Sequence, residues 1–122
     1  LALDDSQVID AERMFNLAAI GLAGAIRTIQ LVDARDGGTR PASDVIDASF
    51  GAALQRLSTK LEGKTLRQKN PHPPSSLAFV SWIAARLGGW NCYYKPPGPK
   101  TMREGWTRLA AILEGYALAA ER

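Results

Sequence analysis

Cysteine and histidine are almost missing from this sequence, with Cys92 and His72 standing alone. One cysteine cannot close an internal disulfide, and one cysteine with one histidine cannot complete a structural zinc site within the chain. Long apolar runs are missing too. The best candidate, Phe15 to Ile26, is 12 residues long, contains Asn16 and is followed by Arg27, which is too short and too polar to span a membrane. The opening Leu1-Ala-Leu-Asp-Asp5 has neither a basic segment nor a start methionine, so it carries no secretion signal and reads as a cut through something longer. The expectation is a fragment of a cytoplasmic protein from a reducing compartment, with no membrane partner. Alternating β-type patterns are also lacking, because Val, Ile and Thr are sparse and never alternate with polar residues over a useful stretch.

What remains is 122 residues with 46% hydrophobic side chains, room for one domain with one modest core. The formal charge of +3 conceals an asymmetry. Residues 1–50 hold four arginines against eight acids, net −4, and residues 51–122 hold eleven Lys and Arg against four acids, net +7. A basic half fits a polyanion nearby, although such an excess is more often plain solvated surface.

Ala, Leu, Arg and Gln recur at three- and four-residue spacings, so the expected fold class is all-α, a small domain of about four helices with a long first one. That first helix is expected to begin near Ser6 to Asp10 and to run to Ala34, where Asp36-Gly-Gly38 stops it. Gly21 and Gly24 within it suggest that another backbone approaches closely. Thr39 to Asp44 reads as an extended connector around Pro41. In the second helix Asp47 serves as N-cap, Phe50, Leu54, Leu57 and Leu61 form the buried stripe, and Gly63 is the C′ glycine. Gly63 to Pro74 is then a basic, proline-rich surface loop. Ser75 or Ser76 caps a third helix, Leu77 to Leu87, apolar on nearly every face and therefore central, closed by Gly88-Gly89. After a second turn-rich loop, 90–99, the fourth helix runs from about Met102 to Ala120, with Thr101 and Glu104 at capping-box spacing.

The fourth helix is the best-patterned element. Met102, Trp106, Leu109, Leu113, Tyr116 and Ala120 step by four and three, a seam that packs along its length. A second row, Gly105, Ile112, Gly115 and Ala119, is small enough to admit a partner helix. Either both rows bury within this chain, or one packs at home and the small row faces another copy.

Catalytic groups do not converge in the sequence: there is no Gly-rich phosphate loop, no nucleophile elbow and no metal-ligand spacing. His72 reads as a solvated turn residue and Cys92 as a packing thiol. Asp4, Asp5 and Asp10 read as first-turn acids of a helix rather than a metal cluster. Arg86, on the most apolar helix, must snorkel or find a partner, most simply in a structural salt bridge.

Ser76-Leu-Ala-Phe-Val-Ser-Trp-Ile-Ala-Ala-Arg-Leu-Gly-Gly-Trp90, Lys95-Pro-Pro-Gly-Pro99 and Met102-Arg-Glu-Gly-Trp-Thr-Arg-Leu-Ala-Ala-Ile-Leu-Glu-Gly-Tyr116 together resemble the C-terminal dimerisation region of bacterial cut-and-paste transposases of the Tn-five type. Glu62-Gly-Lys64 and Arg67-Gln-Lys-Asn-Pro71 are similar to the family's basic loop, and Glu12-Arg-Met14 through Ile29-Gln-Leu31 to the helix leaving its catalytic core. The resemblance implies a helix continuing from that core over 1–40 and a helical dimerisation domain over 41–122. It also implies a chain without the family's metal-binding acidic triad, hence with no catalytic residue, no metal ligand and no cofactor of its own; the parent enzyme would use a divalent metal, magnesium. It further implies a homodimer through the fourth helix, with Trp106, Ile112, Gly115, Tyr116 and Ala119 at the interface, and transposon-end DNA as the partner of the full-length protein. Lys64, Arg67, Lys69, Lys95 and Lys100 are the candidate phosphate contacts. Two rivals stand beside this reading. One is a small basic DNA-binding module using the third helix for recognition, and the other a truncated transposase remnant that inhibits by unproductive pairing.

Overall fold

Helical residues 24–34 (α1) end where Gly37 and Gly38 take φ of +117° and +109°, backbone that glycine enters without the steric penalty of a Cβ. The computed structural model describes residues 24–93 and 95–120; the expected helix start near Ser6 to Asp10, Gly21 and the Asp4, Asp5, Asp10 group lie outside them. The remaining helices are α2 (Gly51–Leu61), α3 (Leu77–Leu87) and α4 (Pro99–Ala120), with short 3-10 turns between them and no strand among the described residues. The class is all-α. Among the described residues the longest helix is the last, with 22 residues; of the expected long first helix only 24–34 are described.

α3 is where it was expected and does what its composition dictates. Every residue from Leu77 to Ala85 is buried, because a helix apolar on all sides is stable only when wrapped. The Ser76 hydroxyl accepts from the Phe79 N–H at 3.2 Å and caps its start. Its end is a Schellman turn: Gly89, at φ +102°, donates to the Arg86 carbonyl, and Trp90 N–H donates to that of Ala85 at 2.9 Å. Around α3 the fully buried Leu31, Leu77, Ile83, Met102 and Leu109 form one core, with Leu54 of α2 joining it. The Ser81 hydroxyl, also fully buried, donates to the Leu31 carbonyl at 2.7 Å, so this polar group inside the core is satisfied and ties α3 to the end of α1.

Several local expectations need correction. α4 begins at Pro99, three residues before Met102, with Pro99 at the first helical position, where its fixed φ fits and its missing N–H is no loss. Thr101 therefore lies inside the helix and forms no capping box. α2 ends through an extended Glu62 (φ −69°, ψ 141°), so Gly63 is not a left-handed cap. Asp47 does cap, accepting from Ser49 N–H at 2.8 Å, but at a 3-10 turn, Ala48–Phe50, that runs into α2. The connector 39–44 is extended only as far as Pro41, which bridges to Ser76; Ala42–Asp44 is a 3-10 turn.

Of the two glycines expected to admit a close backbone only Gly24 is described, and the close approach among the described residues occurs elsewhere. A Cβ added at Gly24 would meet nothing within 4 Å, whereas one at Gly105 would collide with the Ala84 carbonyl and one at Gly88 with the Thr101 carbonyl. α3 and α4 thus touch backbone to backbone, which only glycine permits at those two points.

Among the described residues Arg86 makes no salt bridge. Its Nε and Nη2 donate to the Leu61 carbonyl at 3.1 and 2.9 Å, and its Nη1 to the Trp90 carbonyl at 2.7 Å. Leu61 lies in the last turn of α2, so one planar guanidinium fastens that helix end and the following loop to α3. The physical reason is supply: helix ends leave carbonyls without partners, and no carboxylate of the described residues bonds here. Arg86→Lys keeps the charge but not the fork, and is expected to cost about 1–2 kcal/mol in urea unfolding.

Candidate functional site

The basic loop 63–74 is expected to be plain solvated surface, yet it is built around Asn70. The Asn70 N–H donates to Glu62 Oε2 at 2.7 Å, and its side-chain amide donates to Ser58 Oγ at 3.1 Å and to the Phe79 carbonyl at 3.3 Å. Its own carbonyl oxygen accepts from His72 N–H at 3.2 Å. These bonds pin the loop to α2 and α3 and hold the 3-10 turn Leu66–Gln68 outward. The Gly63 N–H closes the loop's base on the Gln68 carbonyl at 3.0 Å.

Beside this loop lies a cleft of about 340 Å³. Its polar lining is Arg35, Asp36, Arg67, Lys69, His72 and Ser81; Leu66, Trp90 and Pro97 are among its apolar walls. Arg35 comes from the turn after α1 and donates from Nη1 to the Pro97 carbonyl at 2.8 Å. Its Nε is shielded from solvent without a hydrogen-bond acceptor among the described residues; the Asp36 carboxylate is 3.8 Å away. Arg67 lies 5.7 Å from the centre of the Tyr93 ring, whose hydroxyl is 2.6 Å from Thr65 Oγ1. The Trp90 indole N–H donates to the Lys95 carbonyl at 3.0 Å.

His72 is half-buried rather than solvated. Burial lowers its pKa from the ordinary imidazole value, with the Asp36 charge opposing, so the ring is neutral at neutral pH. Cys92 packs in the core, where burial pushes its thiol pKa up against the opposing effect of Arg86. It sits at φ +72°, a left-handed conformation, in a turn where Asn91 Oδ1 accepts from Tyr93 N–H at 2.9 Å.

Of the five candidate phosphate contacts, Arg67 and Lys69 line the cleft and Lys95 adjoins it through Trp90. Lys64 is exposed on the same loop. Lys100 is exposed in the first turn of α4, a turn without any acid, where a positive charge opposes the helix dipole. Arg35 and Trp90 were not legible as members. Arg35 belongs to the acidic half of the chain, and only the fold carries it across to the basic loop.

A second candidate is the end of α4. At about 1.5 Å per residue, the 22 residues of α4 reach about 33 Å, whereas the 11 of α3 reach about 16 Å. α3 therefore covers half of its partner. Met102, Gly105, Leu109 and Leu113 are buried. Beyond them Ile112, Tyr116 and Leu118 are 43, 40 and 61% exposed, Ala119 is exposed, and nothing comes within 4 Å of a Cβ placed on Gly115. Tyr116 lies tilted against Phe50 at the edge of the core, 6.0 Å between ring centres. Trp106 is half-buried against this chain's own core, with the Arg27 guanidinium 5.3 Å from its ring. Of the small row, Gly105 is consumed at home, and Ile112, Gly115 and Ala119 are left open by the described residues.

α3, being buried over nine consecutive residues, has no face to lay in a DNA groove. Among the described residues there is no group of three potential metal ligands, and no helix is long and apolar enough to cross a membrane. No family model matches the chain, and no curated protein or solved structure matches it either.

Proposed function

We propose that this chain is a non-catalytic pairing region of a DNA transposase, which joins two subunits through the last turns of α4 so that cleavage waits for the assembled complex. The observation that carries the reading is the end of α4 that no described residue covers: a strip of Ile112 and Tyr116 with Gly115 and Ala119, on a helix twice as long as the one it packs on. A helix extended past its own core without a partner exposes apolar area that a second copy can bury, and small residues let the two backbones approach. The sequence resemblance gives the strip its role, and the basic loop supplies a surface for the DNA that two paired subunits would hold. The catalytic acids and their magnesium would lie in another part of the parent protein. A chain of this kind standing alone would act as an inhibitor by pairing with full-length subunits.

Replacing Gly115 and Ala119 together by Asp is expected to abolish self-association while leaving the helical circular-dichroism signal intact, because both positions are exposed in the single chain. Dimers that survive the double change would move the interface elsewhere.

A further inference from the structure

We propose that the cleft beside the basic loop takes one unpaired nucleotide of a single-stranded nucleic acid, its base against Trp90 and its phosphates among Arg35, Arg67 and Lys69. The inference rests on the proposed function only for the presence of DNA; it does not require pairing.

Charge comes first. Three permanent cations face one acid, Asp36, while His72 is neutral, so the cleft attracts anions. Arg35 adds a fixed charge. Its guanidinium is held by the Nη1 bond to the Pro97 carbonyl at 2.8 Å, so a positive charge stands preset on the cleft wall. An acidic peptide without aromatic side chains would satisfy charge alone, with no ring to place on the apolar walls.

Those walls suit a base. Trp90 is held at both ends, its carbonyl by Arg86 Nη1 at 2.7 Å and its indole N–H by the Lys95 carbonyl at 3.0 Å. With its N–H engaged it has no donor left for a base edge and offers only its π surface, which every base can stack on. Leu66, 89% exposed at the cleft's rim between Thr65 and Arg67, buries nothing in this fold and adds a second apolar contact. Size completes the case. About 340 Å³ is at the low end of what small-ligand sites enclose, enough for a nucleotide unit, and a duplex keeps its bases stacked inside where Trp90 cannot reach them.

The test is fluorescence anisotropy of labelled oligothymidylate, a duplex with the same number of phosphates, and polyglutamate, each titrated with the full chain while sedimentation reports oligomeric state. Single strand is expected to bind about tenfold tighter than duplex, and Trp90→Ala to lose about tenfold, the usual scale for one stacked base. Trp90→Phe should stay within about threefold, Arg67→Ala should weaken binding and flatten its salt dependence, and Asp36→Asn should tighten it. Duplex or polyglutamate bound as tightly as single strand would overturn the proposal, as would unchanged affinity in a folded Trp90→Ala. Should Trp90→Ala fail to fold, unchanged affinity in both Arg67→Ala and Asp36→Asn would overturn it equally. A monomer that still prefers single strands would sink the pairing reading alone, and a dimer without the preference would sink this one alone.

Discussion

Gly105→Ala is expected to destabilise the chain by about 3 kcal/mol and to lower its melting temperature by about 15 °C, at the upper end of what overpacking costs. An added Cβ would fall far inside contact with the Ala84 carbonyl oxygen and 2.5 Å from its carbon, and would also reach the Gly88 N–H at 3.1 Å. All three atoms are backbone, so no side chain can swing aside and α3 and α4 must part along their whole interface. The core they share includes Ile83, Met102 and Leu109, each fully buried, so parting costs more than a local clash. Gly115→Ala, ten residues further along the same helix, is the control. Nothing lies within 4 Å there, and the better helix propensity of alanine is expected to raise stability by up to about 1 kcal/mol. Thermal melts of the two variants beside the parent chain check both signs.

The second large effect separates the two faces of α4 within a single turn. Leu109→Ala removes a fully buried side chain and is expected to cost about 2–5 kcal/mol in urea unfolding, the range for leucine cavities in close-packed cores. Ile112→Ala, three residues on, removes one that is 43% exposed and is expected to cost less than about 1 kcal/mol. Its effect should appear in self-association instead. Equal losses of stability at the two positions would mean that the helix is wrapped on both sides by this chain, which contradicts the free strip.

The all-α class, the central position of α3 and the core-facing stripe of α2, in which Leu54 is buried and Phe50, Leu57 and Leu61 are half-buried, were legible in the sequence because each follows from apolar periodicity, a local property. Leu77 to Ala85 leaves no polar face, so its burial could be read without any partner in view. What the sequence hid was set by distant contacts. Gly24 and Gly105 look alike in their helices, and only the packing of α3 on α4 decides that Gly105 meets backbone and Gly24 meets space. Arg86 looks like half of a salt bridge. Its partners turn out to be two carbonyls, one of them 25 positions away, that any sequence could supply. In the cleft, Arg67 and Lys69 stood out as part of a basic run. Arg35 did not, because it sits next to Asp36 in the acidic half and reaches the loop only through the turn after α1. Asn70 was hidden for a related reason: an asparagine before a proline signals a turn, and nothing local says that its amide spans three elements.

Pairing through the end of α4 is the central claim, and sedimentation equilibrium from micromolar to millimolar chain, at low and at high salt, reads it most directly. About 600–800 Å² buried per partner is at the low end of stable interfaces, so a monomer–dimer equilibrium in the micromolar range is expected. Because the strip is apolar, the dimer should persist at high salt. A chain that stays monomeric at every concentration, or that associates only at low salt, would contradict it.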